Sequence, residues 1–170
     1  VKTALGLAKY ELVTDPAQAD VLVLNGEIPD PATVAAQLER GAGLVLILGP
    51  DLSAASISTA TGVPVEIKQR DDAVSLTEIK NLKDPAVTQV IWNGAPQVRE
   101  RTETLTPLSS VQPLVTAYED GEWVLWSARS DKVFIFNASL TKTANPQIQE
   151  WAYFNYLIYH LAEGAAGRTP

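Results

Sequence analysis

The apolar positions of this chain fall into a few patterns, each of which predicts an element. Ala19-Asp20-Val21-Leu22-Val23-Leu24-Asn25-Gly26 and Gly43-Leu44-Val45-Leu46-Ile47-Leu48-Gly49 are almost unbroken apolar runs, each ending at a glycine. Unbroken runs of this length mark strands covered on both faces, as parallel strands are. Between them Asp30-Pro31 supplies an N-cap and an N1 proline, and Thr33 to Arg40 continues as a helix stopped by Gly41 and Gly43. Strand, helix and strand with short connections make a βαβ unit. Asp51 or Ser53 then caps a short helix that runs to Ala60 and ends at Thr61-Gly62, and Val63 to Lys68 alternates like a half-exposed strand. Upstream, Thr3 to Ala8 reads as the end of a short helix leading into a brief edge strand, Tyr10 to Val13.

The second half has a different rhythm. Asn81 to Pro85 is turn-rich, Thr88 to Trp92 reads as a strand ended by Asn93-Gly94, and Val98 to Thr104 is a polar, exposed strand or arm. Pro113 to Tyr118, Trp123 to Ala128 and Val133 to Asn137 are three further strands. Glu119-Asp120-Gly121 and Ser130-Asp131 between them are hairpin turns. Trp123 and Trp126 lie three apart, so in a regular strand they face opposite sides, and either one ring is exposed or a bulge intervenes. Asn145 and Pro146 then start a helix from Gln147 to Glu163, ended by Gly164. Ile148, Trp151, Phe154, Leu157, Ile158 and Leu161 form its broad apolar face. Gln149, Tyr153, Tyr156 and His160 run down another face.

The expected architecture is therefore α/β: a mixed, mainly parallel central sheet flanked by helices, with an antiparallel meander. It forms one domain over all 170 residues, since no linker, repeat or low-complexity stretch divides the chain.

Composition narrows the chemistry. A net charge of −7 and scattered basic residues argue against nucleic acid, whose phosphates reward clustered Lys and Arg. With no cysteine there is no thiol nucleophile, disulfide or thiolate metal site, and a single histidine, His160, rules out a multi-histidine site. No apolar run reaches the ~20 residues of a membrane-spanning helix. Methionine is absent even at position 1, and the expectation is a segment of a longer chain.

Several candidate sites follow. Asn25-Gly26-Glu27 and Gly49-Pro50-Asp51 sit just past the two buried strands, where open α/β sheets hold ligands. Glu27 and Asp51 there, or Asp71-Asp72 in a loop, are candidate carboxylates for a divalent cation or acid–base chemistry; the simpler reading is a solvated Glu27 and a capping Asp51. These two loops lack phosphate-binding glycine patterns. Ser53 and Ser56 follow the second strand, but a serine nucleophile needs a base within reach, and the one imidazole is on the last helix. Arg99 and Arg101 alternate with Glu100 and Glu103, as a solvated strand face does, or as a partner-binding edge does. Asn137-Ala138-Ser139 matches the N-glycosylation pattern, which occurs often by chance. The stripe Tyr153, Tyr156, His160 is the candidate protein-contact surface.

"ADVLVLNG", a helix, "GLVLILGP" and the closing aromatic helix together resemble a class I glutamine amidotransferase-like domain. More narrowly they resemble the amidotransferase-like domains of bacterial membrane proteins that also carry a von Willebrand A module. That resemblance implies a flavodoxin-like sheet, with a first strand ahead of the "ALGL" helix that this sequence lacks. Catalytic amidotransferases carry a cysteine at the turn after the strand equivalent to Leu44–Leu48, a position that falls here near Leu48 or Gly49. Asn25-Gly26 takes the place of the glycine-rich oxyanion loop, and no His-x-Glu pair exists. The resemblance implies an amidotransferase-like binding or scaffolding domain with no catalytic residues, metal or cofactor, a protein partner or self-association, and a membrane-anchored, extracytoplasmic setting. The alternatives are a hydrolase using carboxylates or a divalent ion, and a small-molecule sensor, both at the strand-end crevice.

Overall fold

The computed structural model describes residue 13 and residues 15–79, 84–141 and 143–167. The expected helix at Thr3 to Ala8 and the strand starting at Tyr10 lie outside the described residues, apart from Val13. Residues 81–83 of the expected turn lie outside them too.

The elements are β1 (Val21–Asn25), α1 (Pro31–Glu39), β2 (Gly43–Ile47), α2 (Ala54–Thr61), β3 (Glu66–Arg70), β4 (Leu76–Glu78), α3 (Pro85–Thr88), β5 (Arg101–Leu105), β6 (Val111–Ala117), β7 (Trp123–Ala128), β8 (Val133–Phe136), α4 (Pro146–Glu150) and α5 (Phe154–Ala165). A six-stranded mixed sheet has the order β1-β2-β8-β7-β6-β4, and β3 pairs with β5 in a separate two-stranded ribbon. β1, β2 and β8 are parallel; β8, β7, β6 and β4 alternate antiparallel.

β2 is buried along its whole length because both faces of the sheet are covered. Its alternate residues divide between two cores. Val45 and Ile47 meet Phe134, Phe136, Leu157, Ile158 and Leu161 on the α5 side. Leu44, Leu46 and Leu48 meet Val34, Leu38, Ile57 and Ile135 on the α1 and α2 side. Each such fully buried Leu, Ile or Phe contributes about 1.5–3 kcal/mol of transfer free energy.

Local signals place the helices on that second side. Asp30 caps α1, accepting from the Ala32 and Thr33 N–H groups and from the Thr33 hydroxyl at 2.7 Å. These bonds hold its carboxyl below its ordinary range. Ser53, rather than Asp51, caps α2, and Gly62 closes it at φ 74°.

The structure corrects several expectations. Thr88 to Trp92 is no strand: α3 and the turn after it bury Val87, Val90 and Trp92 against the α5 side. The Trp92 indole N–H finds its acceptor locally, on Val87 O at 3.2 Å, and these apolar residues are spaced for a turn over α5 rather than for a sheet edge. Val98 to Thr104 is not an exposed arm, since Arg101, Thr102 and Thr104 are buried where β5 lies between β3 and the chain after β8. The strand expected from Val63 to Lys68 begins only at Glu66 and joins this ribbon, not the main sheet.

The closing helix is two helices. The backbone turns extended at Trp151 (ψ 136°), which lets its ring meet Trp92 at 5.5 Å and Tyr153 at 5.6 Å. α5 then runs through Gly164, where a side chain would meet the Phe134 ring at 3.0 Å. That glycine is there for helix–sheet packing and is not a stop. Asn145 sits at φ 47° and makes no capping bond.

The tryptophan pair is settled by a bulge. Val115 pairs with Leu125 and Thr116 with Trp123, so Val124 is an extra residue in β7. Val124 and Leu125 therefore both enter the α5-side core, and Trp123 and Trp126 share the other face with ring centroids 5.9 Å apart.

The tightest approach in the fold is at Gly43, where an added Cβ would sit 2.0 Å from Ala165 O. Gly43→Ala is expected to push the end of α5 off the sheet and cost about 1–3 kcal/mol. The check is a urea titration, in which an unchanged midpoint would contradict this packing account.

Candidate functional site

Because β1, β2 and β8 are parallel, their C-terminal ends open on one edge of the sheet. The structure brings Asn25, Gly26 and Gly49 together there. Gly26, at φ 81°, donates its N–H to Ile47 O at 2.8 Å. The Asn25 amide donates to Leu140 O at 3.4 Å. Gly49 is buried under the first loop, where a Cβ would lie 3.0 Å from Gly26 Cα and 3.3 Å from Gly26 O. The two loops are thus in backbone contact. Glu27 and Asp51 are exposed on them.

The chain after β8 completes this edge, and the sequence reading missed it. Leu48 N–H donates to Phe136 O at 2.9 Å, so Asn137 to Thr141 follows on beside the Gly49 turn. Thr141 Cγ2 would be 3.5 Å from a Cβ at Gly26, and its hydroxyl lies 3.3 Å from that of Ser139. Asn137 is wholly buried and donates to Thr104 Oγ1 at 3.0 Å and to Trp123 O at 2.9 Å. Asn137 is therefore an internal hydrogen-bonding residue, closed to glycan attachment in the fold. The signal for this third loop was present in "VFIFN", but nothing local says that β8 pairs in parallel with β2.

The proposed chemistries have little to work with here. Ser53 Oγ accepts from Ser56 N–H at 3.1 Å and donates to Ser56 Oγ at 2.9 Å, which is capping. His160 lies five residues before Ala165, about 7.5 Å along α5 from the helix end that packs on Gly43, the start of β2. Its ring packs on Tyr156 and Tyr159 of the same helix. Burial lowers its pKa against the opposing pull of Glu163, so the ring is neutral near pH 7. No group of three or more His, Asp or Glu able to hold a metal exists among the described residues.

Asp72 is committed to an ion network that ties the ribbon to the sheet. Arg101 and Glu122 are both buried and bond in a fork, Nε to Oε2 at 2.6 Å and Nη2 to Oε1 at 2.9 Å. Arg70 joins Asp72 at 3.2 Å, Glu103 at 2.9 Å and Glu122 at 3.7 Å. The Arg70 guanidinium holds the Asp72 carboxyl below its ordinary range, with Arg101 adding to the effect. Arg99 is solvated, 3.8 Å from Asp71.

The expected contact stripe is part of a longer aromatic row. From Trp92 it passes to Trp151, Tyr153 (5.6 Å), Tyr156 (6.3 Å) and His160 (6.4 Å, stacked). Tyr156 is 59% exposed and Tyr153 half-buried, but His160 is only 9% exposed. His160 is thus corrected from surface contact to support, because Tyr156 and Tyr159 pack over it.

No family model matches the sequence, and no curated protein matches it. Among solved structures the chain is similar to one described as a GMP synthase subunit from Thermoplasma acidophilum. The TM-score is 0.60 at 11% identity, covering 97% of this chain and 86% of that one. At that identity the likeness concerns the fold, which is the glutamine amidotransferase-like α/β fold.

Proposed function

We propose that this chain is a non-catalytic, amidotransferase-like binding or scaffolding domain of a larger, membrane-anchored bacterial protein, acting through protein contacts outside the cytoplasm. The observation that carries the reading is the closed turn after β2. A side chain at Gly49 would press on the Gly26 backbone at 3.0 Å, so the place where a nucleophile would stand is filled by the neighbouring loop. The one histidine packs on Tyr156 and Tyr159 within α5, and the sequence holds no thiol.

The contact surface proposed is the exposed end of the aromatic row at Tyr153 and Tyr156, an amphipathic patch of the type enriched in interfaces. Two measurements test the reading. The protein is expected to release no ammonia from glutamine above the buffer rate, and turnover lost in Ser53→Ala would overturn it. Sedimentation at rising concentration is expected to show association that Tyr156→Ala weakens while leaving stability within about 0.5 kcal/mol, as an exposed substitution does. Association unaffected by Tyr156→Ala would place the contact elsewhere.

A further inference from the structure

A cavity of about 370 Å3 lies at the edge of the sheet opposite the strand-end loops, where the lead-in to β1, the end of α1 and the end of α5 meet. The room comes from small side chains: Ala17, Ala19, Ala42 and Ala166 supply methyl groups to its wall. The surrounding backbone is tied down, with Gly43 N–H donating to Asp20 O at 3.0 Å, Ala42 N–H to Gln37 O at 3.1 Å and Gly41 N–H to Leu38 O at 3.0 Å. At roughly 30 Å3 for each water it displaces, the space suits a small metabolite.

Two polar groups on this wall, the buried Gln37 and the exposed Arg40, have no side-chain partner among the described residues. Gln37 is only 4% exposed, yet its side-chain amide makes no hydrogen bond among the described residues. It is not among the sealed, unpaired side-chain atoms, which are Trp126 Nε1 and Asn137 Oδ1, so the amide is open to the cavity that it lines. Arg40 is the second. Arg70, Arg99, Arg101 and Arg129 are each paired with a carboxylate, while the Arg40 guanidinium has no partner among the described residues. Nor is it needed to cap the helix ends, since Lys132 Nζ already donates to Gly41 O at 3.3 Å and to Ala165 O at 3.4 Å.

We propose that this cavity binds a small carboxylate of amino-acid or hydroxy-acid size. Its carboxylate lies on Arg40, its polar head meets the Gln37 amide and its short apolar part rests against the alanine methyls. A guanidinium fork suits a carboxylate. The carbonyl ends of α1 and α5 close by leave room for one ligand charge on Arg40 and disfavour a dianion such as phosphate. The site is separate from the strand-end loops, so it stands or falls independently of the contact function proposed above.

The test is a thermal-shift and calorimetric titration with glycine, L-alanine, L-serine and L-lactate at millimolar concentration, with inorganic phosphate and sodium chloride as controls. A saturable rise in Tm with at least one of the four is expected, because a ligand that prefers the native state raises its stability. Loss of a charge-assisted bond in Arg40→Gln is expected to weaken that binding at least about tenfold. Ala17→Leu, which fills the cavity from an exposed position, is expected to abolish it. Three results would each overturn the proposal: no saturable response to any of the four, equal responses in the wild type and Arg40→Gln, or a response to phosphate as large as to the carboxylates.

Discussion

Glu122→Ala is expected to lower folding stability by about 3–5 kcal/mol, the cost of leaving a buried charge without its partner. Arg101 has no side-chain exposure and Glu122 has 2%. All five guanidinium N–H groups are used: two on Glu122, one on the Asp72 carboxylate and two on the Asp72 and Arg99 carbonyls. With Glu122 gone, the Arg101 cation keeps only the partly solvated Asp72 carboxylate, and water cannot reach it without opening the ribbon. Arg101→Lys is expected to lose much of the same energy, because an ammonium cannot span this fork. The informative comparison is the double variant Arg101→Met/Glu122→Leu. Removing both charges removes the desolvation penalty, so it should recover most of the loss. Urea denaturation of the three variants decides this, and a loss under about 1 kcal/mol in Glu122→Ala would mean that the pair is hydrated in solution.

The second large effect is expected at Asn145, where Asn145→Ala should cost about 3 kcal/mol. Its side chain accepts from Arg99 N–H at 2.8 Å and donates to Glu100 O at 2.6 Å and to Ser139 O at 2.9 Å. One amide thus joins the entry to β5, the loop after β8 and the start of α4. In alanine Arg99 N–H and Ser139 O lose this partner, at about 1–3 kcal/mol apiece before water makes up part of the loss, while Glu100 O keeps the Ser139 N–H at 3.0 Å. Asn145→Asp separates this account from simple packing. It keeps the acceptor for Arg99 but sets a carboxylate against two carbonyl oxygens, so it should be at least as damaging as alanine despite its matching shape. Asn145→Gly would relieve only the backbone strain of φ 47°. Thermal unfolding of the three variants gives the order, and an aspartate variant as stable as wild type would refute the assignment.

Both positions were visible in the sequence and misjudged there. Arg101 sits in "VRERTET", whose alternation of charges is that of a solvated strand, and Asn145 stands before a proline where an N-cap belongs. The strand-end residues fared differently. Asn25, Gly26 and Gly49 were placed by short-range logic, since an apolar run ending at a glycine must turn at the end of a buried strand. Ser139 and Thr141, on the same edge, were not found, because they join it only through a strand pairing that spans the chain.

What the sequence determined by itself is the set of elements whose causes are local. β1 and β2 follow from unbroken apolar runs, α1 and α2 from a cap at Asp30 or Ser53 and a glycine after the last turn, and the β6–β7–β8 meander from strands separated by tight turns. The lack of a thiol nucleophile follows from composition alone. Tertiary structure decided everything that depends on a distant partner. It set β8 beside β2, tied Asn25 to Leu140 across 115 positions, buried Arg101 on Glu122 21 positions away and broke the last helix so that Trp151 could reach Trp92. A cap or a turn is stabilised within a few residues and so leaves a pattern in the chain. A buried ion pair or a parallel neighbour is stabilised only when remote segments exclude water together, and no local pattern records which segments those are.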